Sequence, residues 1–198
     1  MKTRSVAEKH VEHAAENRKR FLKKKGTPAL PSDSQKDIPV TDEYVRSLEE
    51  LLRQRKETVT TVESLTAGRI SSRLADIPGC SDVMKRAYVT YCDEAKHDMA
   101  GVSSRALAKH TAVSSQVAKQ MAKGGAKKAK AEACIAATGY AGPPASDQDA
   151  SAGTVFLAVS YRGKVTVEEH HYGGSRNEVR TQAADDGLRL LTAVMQEA

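Results

Sequence analysis

The sequence predicts a layered α/β/α domain built on a mixed β-sheet, preceded by a basic N-terminal extension. Three observations carry this. Strand-like runs alternate with helical segments from about residue 42 onward, the pattern of sheet-plus-helix layers. Two of the later runs meet at Arg162-Gly163, a turn short enough for a hairpin, which makes the sheet mixed. The 198-residue length fits one domain with a tail. With no Trp and two Phe, the core must rest on Val, Ile, Leu, Ala and Met.

The extension comprises residues 1–42. It holds Val11, Ala14, Ala15 and Leu22 as a thin helical stripe, then two basic clusters, Arg18-Lys19-Arg20 and Lys23-Lys24-Lys25. Pro28, Pro31 and Pro39 follow among Ser and Asp, an extended linker. A solvated arm, a nuclear-localisation or nucleic-acid-tethering patch, and an organelle transit peptide are the alternatives. Glu8, Glu12 and Glu16 speak against the last, since transit peptides are poor in acids.

The domain proper is read as residues 43–198. Thr41 or Asp42 can cap a helix with Val45, Leu48, Leu51 and Leu52 on one face. Residues 58–62, β-branched throughout, form a buried strand. A helix over about 66–76 carries Ile70 and Leu74 one turn apart and stops at Pro78-Gly79. A second strand covers 87–92. Short helices occupy 93–100 and 103–110, and Ser114 opens a longer one passing Val117 and Met121 to about Lys130. The apolar run 134–138 is a third strand; 154–160 and 164–172 form the hairpin. A last helix over 177–196 turns Val179, Ala183, Gly187, Leu190, Leu191 and Val194 to the core.

Charge must be located before it is interpreted. The net +6 divides unevenly: the first 42 residues carry ten Lys and Arg against six acids, the other 156 carry 21 against 19. The domain therefore has little counterion-release drive toward a phosphate backbone, and nucleic-acid contact is left to the arm. No apolar run approaches the ~20 residues of a membrane span. Three cysteines with no short-range pairing fit a reducing, cytoplasmic setting, with nuclear location open through the arm. Cys92 and Cys134 read as small core residues, Cys80 as lying near a turn. His10 and His13 lack a third ligand, and His170-His171 in a strand point to opposite faces, so no metal site is expected.

Four segments can carry chemistry. Glu63-Ser64-Leu65-Thr66-Ala67-Gly68 joins a strand to a helix, where free N–H groups can hold an anion or oxyanion. Ser64 there is a nucleophile or a helix cap. In Tyr88-Val89-Thr90-Tyr91-Cys92-Asp93-Glu94-Ala95-Lys96, a strand running into a helix, the lysine is a general base or an exposed helix residue. As a base it must lose roughly 3 pKa units from ~10.4, which partial burial beside another cation can supply. Ala137-Thr138-Gly139-Tyr140-Ala141-Gly142-Pro143-Pro144 ends a strand in a loop that lets backbone approach a ligand, or is a tight turn. Arg176 and Arg180, one helical turn apart, fit a phosphate or carboxylate, or are solvated. Three strand ends and a helix start converging on Ser, Tyr, Lys, Thr and Arg outweigh any single member, because ligands of open α/β sheets lie at such edges.

In this order the segments resemble the C-terminal domain of the competence/damage-inducible protein CinA, which also occurs alone as nicotinamide-nucleotide amidohydrolase. The resemblance covers about residues 44–198. It runs through Glu63-Ser64-x-Thr66-x-Gly68, Pro78-Gly79-x-Ser81, Val89-Thr90-Tyr91 with Glu94-Ala95-Lys96, and Gly101-Val102. It continues through Val113-Ser114, Thr138-Gly139-x-Ala141-Gly142-Pro143, Gly153-Thr154-Val155 and Arg176-x-x-Val179-Arg180. It implies deamidation of nicotinamide mononucleotide to nicotinic acid mononucleotide and ammonia, with no cofactor. Ser64 would be the nucleophile, Lys96 its base, Tyr91 an aid to proton transfer and Thr138 a positioning group. Thr66, Gly68, Gly139, Gly142, Arg176 and, as second choice, Arg180 would bind substrate. A non-catalytic nucleotide-binding or regulatory member is the alternative. The family's habit implies a homo-oligomer, a dimer first.

Three departures stand out. The family's Cys-Thr-Gly-Gly is Leu65-Thr66-Ala67-Gly68 here, so a methyl at 67 narrows the turn or demands negative φ. Tyr-Ser-Asn becomes Tyr91-Cys92-Asp93. The Gly-rich continuation becomes Pro144-Ala145-Ser146-Asp147-Gln148-Asp149, whose acids could repel a substrate phosphate.

Overall fold

The computed structural model describes residues 40–143 and 151–198. The readings of residues 1–39 and of 144–149 lie outside the described residues. In chain order the elements are α1 (Asp42–Arg55), β1 (Val59–Glu63), α2 (Arg69–Ala75), a 3₁₀ turn (Cys80–Asp82), β2 (Met84–Val89), α3 (Asp93–Ala100), α4 (Ser104–His110), α5 (Ser115–Ala129), β3 (Ala133–Gly139), β4 (Thr154–Tyr161), β5 (Lys164–His171) and α6 (Arg176–Gln196).

The five strands run in the order β2-β1-β3-β4-β5. β1 is parallel to both β2 and β3, while β3–β4 and β4–β5 are antiparallel, so the sheet is mixed, as the hairpin predicts. Alternation along the strands divides the core in two. Val59, Ile135, Leu157 and Val159 face α1, α2 and α6, where Leu48, Leu52, Ile70, Leu74, Leu188 and Leu191 are fully buried. Val62, Cys134, Ala136 and Ala158 face α3, α4 and α5, against Ala100, Val117, Met121 and Ala122. The chain leaves β1 by α2 on the first face and β2 by α3–α5 on the second. A crevice must therefore open where the two strands end. Among the described residues no helix is long and apolar enough to cross a membrane.

The helix starts follow the capping rules. Thr41, Ser103, Ser114 and Ser175 each accept a backbone N–H of the first turn, and Ser175 with Glu178 completes a capping box. Two boundaries differ from expectation. β2 begins and ends three residues early because it is an edge strand: one side is open to solvent, so Lys85 and Arg86 sit in it at little cost, and its apolar alternation is lost. Beyond Thr90 the chain has left the sheet, and Cys92, expected in the core, is exposed. Its Sγ accepts the Ala95 N–H at 3.5 Å and caps α3. α2 begins at Arg69, not near Thr66, because residues 64–68 form a turn of their own.

Candidate active site

β1 ends in two residues that alternate across the sheet. Glu63, fully buried, faces α2 and accepts three of its N-terminal donors: Gly68 N at 2.9 Å and Ile70 N at 3.1 Å on Oε2, and Ser71 N at 2.9 Å on Oε1. The donors of that helix start are thus consumed inside the protein. Between Glu63 and α2 the chain turns sharply: Ala67 N donates to Ser64 O at 3.1 Å, and Ala67 and Gly68 take φ of +48° and +92°. Ala67 is therefore left-handed despite its methyl, so of the two alternatives for this position the negative φ is ruled out; the three-point anchorage by Glu63 over-determines the turn.

Ser64 faces the opposite layer. The ladder continues one step past each strand end, with Ser64 N donating to Ala137 O at 2.9 Å and Thr90 N to Glu63 O at 2.8 Å. Counting on from the Glu63–Val89 and Glu63–Ala137 pairs, Thr90, Ser64 and Thr138 form a row across β2, β1 and β3, all turned toward α3–α5. Lys96 comes down onto this row from α3. Its Nζ lies 3.2 Å from Ser64 Oγ and 3.1 Å from Thr90 O, with only 1% of the residue exposed against 9% for Ser64. Burial pushes the Lys96 amine below its ordinary value, opposed by Asp93 and Cys92. An amine made easier to deprotonate thus meets a serine hydroxyl at the crevice predicted by topology.

Thr138, also buried, donates its Oγ1 to Ala112 O at 2.8 Å, tying the loop before α5 to the strand end; its hydroxyl is not bonded to Ser64 or Lys96. Gly139 runs against β4, where a Cβ would come within 2.6 Å of Thr154 O. From α6, Arg180 donates Nε to Leu65 O at 2.8 Å and Nη2 to Thr66 O at 3.1 Å. The Thr66 N–H, across its peptide plane from Leu65 O, is thereby turned away from Arg180. Among the described residues the N–H groups of Leu65 and Thr66 find no protein acceptor. Arg176 reaches over the strand ends, donating to Tyr91 Oη at 2.8 Å and to Gly142 O at 2.7 Å. Tyr91, 58% exposed, is thus joined to Arg176, not to Lys96. Two groups stand in the sequence motifs without a role there: Glu63, the anchor of the turn, and Thr90. Register alone could have found Thr90, and the misplaced β2 concealed it. Among the described residues no three His, Cys, Asp or Glu side chains could jointly hold a metal ion.

Residues 41–195 match the CinA C-terminal domain. The chain belongs to the CinA C-terminal domain family. It is similar over 157 residues, at 38% identity, to the nicotinamide-nucleotide amidohydrolase PncC of Escherichia coli, covering 77% of this chain and 95% of that protein. A CinA-like protein of Syntrophobacter fumaroxidans is 39% identical over 75% of this chain. The chain spans about a third of the length of such longer CinA relatives. Among solved structures, the competence/damage-inducible protein CihA of Agrobacterium tumefaciens superposes with a TM-score of 0.73 at 35% identity, over 84% of this chain and 98% of that one. A CinA superfamily protein of Klebsiella pneumoniae gives 0.75 at 29% identity, over 79% and 98%. These sources are bacteria and lend no support to a nuclear address in the basic arm.

Proposed function

We propose that this CinA-family domain is an amidohydrolase that converts nicotinamide mononucleotide to nicotinic acid mononucleotide and ammonia, with Ser64 as nucleophile and Lys96 as base. The observation that carries the reading is the 3.2 Å approach of Lys96 Nζ to Ser64 Oγ at a strand end withdrawn from solvent. Nearly full-length similarity to the Escherichia coli amidohydrolase supports the substrate.

The chemistry balances on these residues. Neutral Lys96 takes the Ser64 proton, and the freed oxygen pair bonds the carboxamide carbon while the carbonyl π pair moves onto oxygen. The N–H groups of Leu65 and Thr66, which find no protein acceptor among the described residues, receive that oxyanion. The Lys96 ammonium gives its proton to the amide nitrogen, the C–N bond breaks, and ammonia leaves an acyl-Ser64. Water then attacks, Lys96 accepts its proton and returns it to Ser64 Oγ as the acid departs. Arg176, shared between Tyr91 and Gly142 at the rim, is the group we assign to the substrate phosphate, Tyr91 yielding its bond as the phosphate enters. Thr138 and Gly139 shape the β3 side of the cleft.

Incubation with nicotinamide mononucleotide, read by mass spectrometry for conversion of carboxamide to acid, tests this directly. Turnover by the wild-type chain and none by folded Ser64→Ala is the expected result. Thermal stabilisation by the nucleotide without product would select a binding or regulatory role instead.

A further inference from the structure

We propose that the side-chain hydroxyl of Thr90 is the third acceptor of the Lys96 ammonium that forms during turnover, making Thr90 a positioning residue of the site. The inference rests on the Ser64–Lys96 reading above and deepens it.

Proton counting raises the question. A neutral lysine amine has two N–H donors and a lone pair, and the ammonium has three donors. Two partners surround Lys96 Nζ: Ser64 Oγ at 3.2 Å and Thr90 O at 3.1 Å. With the lone pair toward the Ser64 hydroxyl and one N–H on Thr90 O, the neutral amine already leaves one N–H unmet; once the proton of Ser64 has moved to Nζ that N–H belongs to an ammonium and needs an acceptor far more, and with Lys96 only 1% exposed bulk water is a poor source. A buried ammonium with an unmet donor would resist forming and slow the step that creates it.

Thr90 answers it on three independent grounds. Its side chain is fully buried, and among the described residues its Oγ1, like those of Thr61 and Thr66, has no hydrogen-bond partner, a state that calls for a reason in a folded protein. Register sets Thr90 beside Ser64 on the face that Lys96 covers, one strand spacing of ~4.8 Å away. Its main chain is already committed there, N–H to Glu63 O and C=O to Lys96 Nζ, so the residue cannot drift from the amine. The ionisable groups that bear on Lys96 are Asp93 and Cys92 of its own helix. From β1, Glu63 faces the other side of the sheet; α5 packs inward with the neutral Val117, Ala118, Met121 and Ala122; Tyr91, next to Thr90, is bonded away to Arg176.

The test compares Thr90→Val, nearly isosteric, and Thr90→Ser with the wild-type chain. The Lys96 amine is titrated directly by NMR on protein carrying lysine labelled with ¹³C at Cε, its signal assigned by its loss in Lys96→Met. Removing the acceptor withdraws support from the ammonium, so the Lys96 midpoint in Thr90→Val is expected to fall by about one pH unit, the worth of a hydrogen bond to a charged group. Thr90→Ser is expected to titrate like wild type. In turnover, Thr90→Val is expected to lower kcat about tenfold with KM within about twofold, its acid limb moved to lower pH, and Thr90→Ser to restore both. An unmoved Lys96 midpoint in Thr90→Val overturns the proposal, as does a Thr90→Ser variant as impaired as Thr90→Val, which would mark mere packing. The titration needs no substrate. A wild-type chain inert toward nicotinamide mononucleotide would remove the proposed reaction, and a shifted midpoint would still establish the Thr90 contact.

Discussion

Glu63 and Ser64 are adjacent in the chain and belong to opposite layers of the molecule. The carboxylate closes the start of α2 on one face of the sheet, and the hydroxyl meets Lys96 on the other. The pleat of a single strand thus couples the anchoring of the turn to the placing of the nucleophile. Glu63→Ala removes three acceptor contacts from a buried helix start, and we expect a loss of roughly 2–4 kcal/mol in urea unfolding. Glu63→Gln keeps the shape and one good acceptor, and should lose less than half of that. If both variants unfold at the wild-type midpoint, the three contacts contribute nothing and the turn is held otherwise.

Lys96 is bought at a cost in stability. Its pKa lies below the unfolded value in the folded chain, so between those two values the unfolded state binds more protons and stability rises with pH. The penalty is fully present below the folded pKa and disappears as pH climbs past the ordinary ~10.4. Lys96→Met, which keeps the length and removes the charge, should therefore abolish ammonia release. It should also raise Tm at pH 7 by a few degrees, about 1 kcal/mol. The gain should shrink steadily toward pH 10. A destabilised Lys96→Met at neutral pH would show that the amine contributes more by its bonds than it loses by burial.

Much of this was legible in the sequence, for physical reasons that can be named. Strands β1 and β3 are covered on both faces, so their residues are apolar or β-branched and announce themselves; β4 and β5 are marked by their turn. The edge strand β2 carries no such constraint, and its boundary slipped. Ser64, Lys96, Arg176 and Tyr91 could be named because strand ends and helix starts collect chemistry. Which of them touch could not be read, since a bond such as Arg180 to Leu65 O depends on how α6 lies against a turn more than a hundred residues earlier. Ala67 shows the limit from the other side. Local sterics argue for negative φ, and the three bonds of Glu63 to the backbone beyond it prevail.

That strain gives a prediction of its own. Ala67 at φ +48° carries the left-handed penalty of an L-residue, about 1–2 kcal/mol, part of which glycine returns as unfolded-state entropy. Ala67→Gly should thus stabilise the chain by about 0.5–1 kcal/mol and leave kcat no lower than wild type. A loss of stability would mean that the Ala67 methyl packs usefully in the turn.

The two arginines of α6 should separate kinetically although they lie one turn apart. Arg180 is spent on the carbonyls of Leu65 and Thr66, so it acts on the turn that carries the oxyanion donors. Arg180→Lys keeps a charge but cannot span both oxygens; we expect kcat to fall about tenfold or more with KM little changed. Among the described residues Arg176 holds only the exposed Tyr91 hydroxyl and the Gly142 carbonyl, partners that a phosphate can displace. Arg176→Ala should raise KM for nicotinamide mononucleotide about tenfold and leave kcat/KM for nicotinamide riboside, which lacks the phosphate, within about twofold. Equal losses on both substrates would move Arg176 from phosphate recognition to the architecture of the rim.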